Sequence, residues 1–220
     1  SVHQGDLDGI KGLYHINAVD CVTQWQVVAS VQAISEAHLL SVIEEMLAQF
    51  PFEILGFHAD NGSEYVNYKV ARLLDKLRIE FTRSRPRHSN DNGLAETKNG
   101  AVVRKEFGYE HIHRRHAARF DTFCREYLNP FLNYHRPCLF ATELADPKKP
   151  GRIKRVYRPR DAMTPLDKLA SLPNAASFLR PGVTLLELHQ LARALTDVQA
   201  AEELNEARQA LFRRAATRTG

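Results

Sequence analysis

Two acidic residues stand out because of where they fall in the local sequence pattern. Asp60 directly follows a short apolar run at 52–59 that is typical of a buried strand, and Glu96 lies in the first turn of a predicted helix. Thirty-five residues lie between the two acids. Carboxylates at the carboxyl end of a strand are well placed for function in α/β sheets, and carboxylate oxygens suit hard divalent cations such as Mg²⁺. The pair is therefore a candidate metal site if the fold brings a strand end and a helix start together.

Each acid, taken alone, also has an ordinary structural explanation. Asp60 begins the sequence Asp-Asn-Gly, which is a common turn. Glu96 stands where a carboxylate routinely interacts with the free backbone N–H groups of a helix N-terminus. The chemical interpretation therefore depends on the elements that position the two side chains.

The elements around these acids alternate between strands and amphipathic helices. A break at 20–23 divides 13–31 into two neighbouring strands, which predicts a hairpin. Ser35 precedes a helical pattern that Pro51 ends, and a short strand is predicted from Ile79. Further helical spacing is found at 66–77, 94–107 and 118–134. This order predicts an α/β fold with helices packed on a mixed sheet.

Length and composition limit the class of protein. A chain of 220 residues can form one large core, or one domain with an appendage, and 44% hydrophobic residues suit a globular protein. No apolar run approaches the ~20 residues that span a bilayer, so membrane insertion is not predicted. Three widely spaced cysteines without a CxxC pair favour a reducing, cytoplasmic setting. A net charge of +4 permits an anionic partner.

The sequence predicts three segments. Residues 1–145 form the main domain, 146–165 a basic linker, and 166–220 a C-terminal helical segment. Thr184 and Glu187 match a capping box, and a second helix starts near Thr196. The apolar faces of these helices predict burial, either against the core or against another subunit.

The acids and their surroundings, taken together, resemble the integrase and transposase catalytic core with its D,D-35-E signature. This superfamily includes retroviral integrases and bacterial insertion-sequence transposases. The resemblance spans roughly residues 1 to 165 and is carried by the following segments: 18–25 (AVDCVTQW), 60–65 (DNGSEY), 84–86 (SRP), 90–93 (NDNG) and 96–99 (ETKN). It implies a ribonuclease-H-like mixed sheet with flanking helices.

The resemblance also implies the chemistry. Asp60 and Glu96 would be catalytic residues that bind Mg²⁺ or Mn²⁺, with two ions activating the attacking oxygen and stabilising the leaving oxygen of a phosphodiester. A water would cleave the DNA of the element ends, and the freed 3′ hydroxyl would attack target DNA. The family further implies a homo-oligomer associated with the bacterial nucleoid.

The superfamily uses a third carboxylate, which lies on the opening strand. Residues 1–3 (SVH) look like the tail of its Asp-x-Thr/Val-His setting, so we expect this acid to precede Ser1, with the first strand truncated. Asp6 and Asp8, in a glycine-flanked turn, and Asp20, on a neighbouring strand, are the alternatives. A truncated or inactive remnant that binds nucleic acid without catalysis is therefore an alternative function, and ribonuclease-H activity is a third.

Basic and polar residues near the acids are candidates for DNA binding. Arg83, Arg85 and Arg87 lie in the loop predicted before Glu96, while Asn99 and Arg104 lie within about 80° of the Glu96 direction on its helix. A solvated helix face is the alternative for Arg104. The basic segment from 146 to 161 is either solvated or a phosphate contact. A zinc site in the HIHRRH sequence at 111–116 is disfavoured, because the interleaved arginines would repel a cation.

Overall fold

The computed structural model describes residues 1–59, 71–76, 79–83, 93–145 and 151–216, and these ranges contain both strands and helices. The predicted α/β class is confirmed. The strands are β1 Val2–His3, β2 Asp6–Leu7, β3 Ile10–Lys11, β4 Tyr14–Val19, β5 Gln26–Val31, β6 Gly56–Ala59, β7 Glu80–Arg83, β8 Cys138–Ala145 and β9 Ile153–Met163.

The helices of the described ranges begin after strand β5. They are α1 Glu36–Ala48; α2 at 71–76; α3, which runs through Gly93–Lys98, Asn99–Arg104 and Lys105–Phe107; α4, which runs through Ala117–Phe123, Cys124–Leu128 and Phe131–His135; α5 Pro165–Ala170; α6 Leu185–Arg193; and α7 Asp197–Ala216. None of the helices in the described ranges is long and apolar enough to cross a membrane.

Strands β1, β4 and β5 form an antiparallel sheet in that order. The β4–β5 pair is the hairpin predicted from the sequence, and its register runs from Tyr14 opposite Val31 to Val19 opposite Gln26. Strands β6 and β7 form a separate parallel pair. The structure thus contains both antiparallel and parallel pairing, with α1 and α2 in the connections.

The outer edge of β5 is covered by side chains of α4. Asn133 Oδ1 accepts from the Gln26 N–H at 2.8 Å, and Asn129 Oδ1 accepts from the Val28 N–H at 2.9 Å. The Nδ2 groups of both asparagines donate to the carbonyl oxygens of the same two strand residues. The four helical residues from Asn129 to Asn133 advance about 6 Å and two strand residues about 6.6 Å, so the two spacings match. The edge therefore has its hydrogen bonds without a further strand.

All six residues of strand β5 are buried. Since side chains alternate along a strand, both of its faces are therefore covered. Val28 joins a cluster with Phe107 of α3 and Phe120 of α4. Val27 and its neighbours on the opposite face join a second cluster with residues of α1, α5 and α6, including Leu166. The sheet therefore lies between two layers of helices.

The C-terminal helices pack on this body. Leu204 and Leu211 of α7 belong to the same cluster as Phe120, and Phe212 meets the Phe120 ring edge-on. Arg208 of α7 also forms a 3.2 Å ion pair with Glu106 of α3. The predicted capping box at Thr184 and the helix start near Thr196 are both present. Packing against the core, one of the two predicted roles, is therefore observed, while the predicted segment boundaries stay predictions.

The segment predicted as a basic linker contains regular structure. Strand β9 pairs with β8 in an antiparallel hairpin, from Cys138 opposite Met163 to Ala145 opposite Ile153. Pro159 lies in the stretch 158–161, where the register shifts and no ladder hydrogen bond is required of it. The described part of the segment is therefore a strand and not an irregular connection.

Candidate metal and nucleic-acid site

The parallel pair β6–β7 ends at Ala59 and Arg83. Ala59, the last residue of β6, is the register partner of Arg83, the last residue of β7. Asp60 follows Ala59 directly in the chain and lies outside the described residues. The carboxyl ends of both parallel strands thus meet at one edge, which is where α/β sheets place functional groups.

Glu96 lies in the first turn of α3 and is exposed. Its helix is anchored to β4 by Asn17, whose Nδ2 donates to the Ala95 carbonyl at 3.3 Å and to Asn99 Oδ1 at 3.1 Å. Asn99 is three residues beyond Glu96 and therefore on a neighbouring part of the helix surface. Asn17 thus holds this part of α3 against β4, and the Glu96 side chain is open to solvent, as a ligand of a partly hydrated cation would be.

Polar side chains of β5 and α4 hold Asn17 in place through a series of hydrogen bonds. Gln26 Nε2 donates to Asn17 Oδ1 at 2.9 Å, and the Gln26 backbone is bound by Asn133 of α4. The contacts connect α4, β5, β4 and α3 in sequence. The sequence interpretation missed Asn17 and Gln26; the available signal was an amide side chain within each of two mostly apolar strands, since buried polar groups require partners.

The predicted DNA-binding residues fall into two groups. Arg85 and Arg87 lie outside the described residues, and Arg83 belongs to β7 and not to the loop in which it was predicted. Asn99 is half-buried and its Oδ1 is bound by Asn17, so this oxygen faces the sheet.

Arg104 has a structural role of its own. Its guanidinium donates to the His3 carbonyl at 3.1 Å and to the Gly108 carbonyl at 3.4 Å, and it lies 4.8 Å from the centroid of the Tyr109 ring. These contacts join the end of α3 to β1. A DNA contact by Arg104 stays a prediction.

The alternative acids for a third ligand stabilise turns. Asp20 Oδ2 accepts from the Thr23 N–H at 2.6 Å and from the Thr23 hydroxyl at 2.7 Å, within the β4–β5 turn. Asp6 Oδ1 accepts from the Gly9 N–H at 3.0 Å, and Asp8 has a positive φ of 51° in the same β2–β3 turn. Asp6 and Asp20 thus each accept local hydrogen bonds, and Asp8 occupies a turn position with a positive φ.

The histidine-rich segment 111–116 is also occupied by local contacts. His113 Nδ1 accepts from the Arg115 N–H at 3.1 Å, and His116 Nε2 accepts from the Arg115 Nε–H at 3.2 Å. In the part of the chain that the structure describes, no three His, Cys, Asp or Glu side chains form a group that could hold a metal. Asp60 is not in that part, so the metal site of Asp60 and Glu96 stays a prediction.

A second group of reactive side chain types lies in the core. His15 Nδ1 is 2.9 Å from Ser30 Oγ, which is 3.7 Å from Cys124 Sγ. Burial, with a smaller contribution from the Arg104 charge, lowers the pKa of His15 to about 3. Burial raises the pKa of the Cys124 thiol. Both groups are therefore neutral near pH 7, and the cluster serves packing and not nucleophilic chemistry.

Two comparisons with known proteins bear on this site. Residues 2–89 match the sequence model of the family described as "Integrase core domain". An uncharacterized protein, y4rM, of Sinorhizobium fredii (strain NBRC 101917 / NGR234) is 32% identical over 90 residues, which are 41% of this chain and 26% of that protein. The chain thus spans about a quarter of the length of this curated relative. The family match includes Asp60 and ends before Glu96.

Proposed function

We propose that this chain, whose residues 2–89 carry an integrase core domain, catalyses metal-dependent phosphodiester hydrolysis and strand transfer on DNA. An integrase core domain indicates a function in DNA integration or transposition. The observation that carries the finer proposal is the position of Asp60, which lies inside the matched region and directly after the end of a parallel strand.

The fold proposed for this core is ribonuclease-H-like. Three antiparallel strands, a helix and a parallel strand pair follow one another in the chain, and helices pack on both faces of β5. Ile16 of β4 and Phe57 of β6 contact the same hydrophobic cluster of α1 and α2. This shared cluster supports the proposal that the end of β6 and the helix anchored on β4 flank one site.

In this proposal, Asp60 and Glu96 bind Mg²⁺ or Mn²⁺ and are the catalytic carboxylates. When bound, the ions would polarise the scissile phosphate and lower the pKa of the attacking oxygen. The protein's part is to hold the two carboxylates: β6 fixes the backbone before Asp60, and Asn17 fixes the helix that carries Glu96. An exposed Glu96 leaves room for water and phosphate oxygens beside the ion.

The DNA itself is held by basic residues around the acids. Arg83 is the last residue of β7 and the register partner of Ala59, and Arg85 and Arg87 follow it in the chain; these three are the proposed phosphate contacts. We assign 1–145 to the catalytic core and 166–220 to a helical segment packed on it. Assembly as a homo-oligomer, which would hold both element ends and target DNA, is part of the proposal.

The proposal is tested with the protein expressed from its full reading frame. Labelled duplex oligonucleotides that carry an element end are incubated with Mg²⁺ or Mn²⁺, and nicked and joined products are resolved on a denaturing gel. Asp60→Asn and Glu96→Gln should each lower both products more than about 100-fold, since the metal contributes several kcal/mol and each 1.36 kcal/mol is tenfold. The matched control is Glu110→Gln, which removes an exposed carboxylate from the loop after α3.

Equal activity of wild type and both acid variants would contradict the proposal. A wild-type protein that binds the duplex but yields no nick with either metal would support the alternative, a non-catalytic nucleic-acid-binding protein. Loss of activity in Glu110→Gln as well would indicate that any change of charge in this region is harmful, and would remove the support that the acid variants give.

A further inference from the structure

The antiparallel hairpin of β8 and β9, called the ribbon below, contacts the body of the protein at its base and is largely exposed in its outer part. At its base, Cys138 lies opposite Met163, Gln24 Nε2 donates to the Leu139 carbonyl at 2.9 Å, and Lys168 Nζ lies 5.3 Å from the Phe140 ring centroid. Beyond the register shift, five residue pairs continue from Ala141–Tyr157 to Ala145–Ile153. At about 3.4 Å per residue, this outer part is about 17 Å long.

The outer part of the ribbon is exposed on both sides. Ile153 is 62% exposed and Tyr157 is 59% exposed, and they share one face with Arg155 because side chains alternate along the strand. The residues opposite Tyr157 and Ile153 are alanines, and between these alanines Glu143 forms a 3.2 Å ion pair with Arg155. A two-stranded hairpin in water is marginally stable by itself, and large exposed apolar side chains on it favour a bound partner.

The ribbon also holds much of the net charge of the chain. The segments 138–145 and 151–163 contain two acids, Glu143 and Asp161, against five basic residues. Their formal balance is +3, whereas the whole chain of 220 residues has +4. The basic residues are Arg152, Lys154, Arg155, Arg158 and Arg160. Such a concentration of positive charge on an exposed arm is complementary to a polyanion.

We infer that the ribbon is a DNA-binding arm that enters the major groove of duplex DNA, an inference that rests on the proposed function. The major groove is about 12 Å wide and admits a two-stranded β-ribbon. Arg152, Lys154 and Arg158 then contact phosphates through their long side chains, while the face of Ile153 and Tyr157, on which Arg155 is ion-paired with Glu143, lies toward the base edges. Phosphate contacts contribute affinity irrespective of sequence, and groove contacts set the register.

A second copy of the chain is a poorer occupant of this surface. Addition of a strand to β9 needs a free row of backbone N–H groups, and Pro159 has none. Like charge also opposes the meeting of two such arms, since each has the same +3 balance. The observations therefore favour duplex DNA.

The test measures duplex binding by fluorescence anisotropy in EDTA at several salt concentrations, with no catalysis required. The ribbon variant is Arg152→Gln, Lys154→Gln and Arg158→Gln combined. Three lost phosphate contacts should lower the slope of log K against log salt by about 2.7 and the affinity at ~0.1 M salt at least about tenfold. The control combines Arg114→Gln, Arg119→Gln and Arg193→Gln, which remove the same charge from exposed positions elsewhere.

A second measurement addresses the groove. Dimethyl sulfate methylates guanine N7, which lies in the major groove, so the wild-type protein should protect guanines within its footprint. The double variant Ile153→Ala and Tyr157→Ala should lose that protection while it keeps the salt slope. A charge-preserving variant with Lys154→Arg should bind as wild type does, and circular dichroism of all variants checks that the fold is retained.

The outcomes are distinct. Equal losses in the ribbon and control variants, or no loss in either, would overturn the inference. Unchanged DNA affinity together with a wild-type dimer that the ribbon variant abolishes in sedimentation would overturn it in favour of a second copy. Because binding is measured in EDTA, failure here leaves the acid-dependent cleavage test unaffected, and failure of cleavage leaves the binding result standing.

Discussion

His15 of β4 and Phe107 of α3 stack face to face, with 4.2 Å between their ring centroids and 8° between their planes. The imidazole is fully buried, with Ser30 at its Nδ1, Phe120 beside it and Arg104 as the nearby charge. Burial together with that positive charge lowers the pKa of His15 to about 3. The core at this point therefore contains a neutral imidazole that acts as an aromatic packing residue.

This stacking predicts acid sensitivity. In the unfolded chain His15 takes up a proton near pH 6.5, whereas in the folded chain it does so near 3, so its contribution to stability is complete above 6.5 and is lost as the pH falls toward 3. The expected slope is up to about 1.4 kcal/mol per pH unit, measured by urea unfolding between pH 7 and pH 5. Burial raises the pKa of Asp121, which acts in the opposite direction at lower pH, so this window is preferred.

The variant His15→Gln should flatten the pH dependence in that window, although it is less stable than wild type at pH 7. His189→Gln on α6 provides the matched control and should keep the wild-type slope. An unchanged slope in His15→Gln would contradict the assignment of the acid sensitivity to His15.

The covered edge of β5 predicts a large effect of one asparagine. Asn129→Ala removes hydrogen bonds to the N–H and C=O of Val28 and to Gln49 Oε1, and leaves buried backbone groups unpaired. The expected loss is about 2 to 4 kcal/mol in the free energy of unfolding. Asn205→Ala on the exposed side of α7 should change stability by less than about 0.5 kcal/mol. Faster amide exchange at Val28 in Asn129→Ala would locate the effect, and unchanged exchange there would argue against it.

The packing of α7 predicts that its inner face stabilises the whole body. Leu204 is buried in the cluster that includes Phe120, so Leu204→Ala should cost about 2 to 5 kcal/mol. Val198 lies on the same helix and is 67% exposed, so Val198→Ala should be almost neutral. A single cooperative transition that shifts in Leu204→Ala but not in Val198→Ala is the expected result. Separate melting of α7 would indicate an independent segment.

The proposed metal site predicts stabilisation by divalent ions. Binding to the folded state alone raises the free energy of unfolding by about 2.7 kcal/mol at an ion concentration 100 times the dissociation constant. Mn²⁺ should therefore raise the melting temperature of wild type relative to EDTA, and Asp60→Asn or Glu96→Gln should remove most of that increase. Glu110→Gln should keep it. An equal increase in every variant would mean that the ion binds elsewhere.

Local signals in the sequence predicted much of this structure correctly. The β4–β5 hairpin, the helix starts at Thr184 and Thr196, and the α/β class follow from periodicity and from cap residues within a few positions of one another. The resemblance to the integrase core is confirmed over 2–89. The Asp60 and Glu96 site stays a prediction, since Asp60 lies outside the described residues.

Long-range contacts were beyond such signals. Asn129 and Asn133 bind backbone groups 101 and 107 positions away, and nothing near them in the sequence identifies those partners. The contact of the Arg104 guanidinium with the His3 carbonyl, 101 positions away, is of the same kind, and a DNA contact by Arg104 stays a prediction. Strand β9 was not predicted for a different reason. The charged residues around Pro159 are typical of a linker, and the exposed outer ribbon shows no alternation of apolar and polar residues that would indicate a half-buried strand.

Asn129 and Asn133 also limit the pairing of β5 with a strand of another molecule. Aggregation and domain swapping can begin when an unpaired edge strand forms backbone hydrogen bonds with a strand of a neighbouring molecule. At Gln26 and Val28 that route is closed, since both outward amides and both outward carbonyls are already engaged by side chains of the same molecule. The backbone of β5 at these two residues is therefore not available to pair with a strand of another molecule.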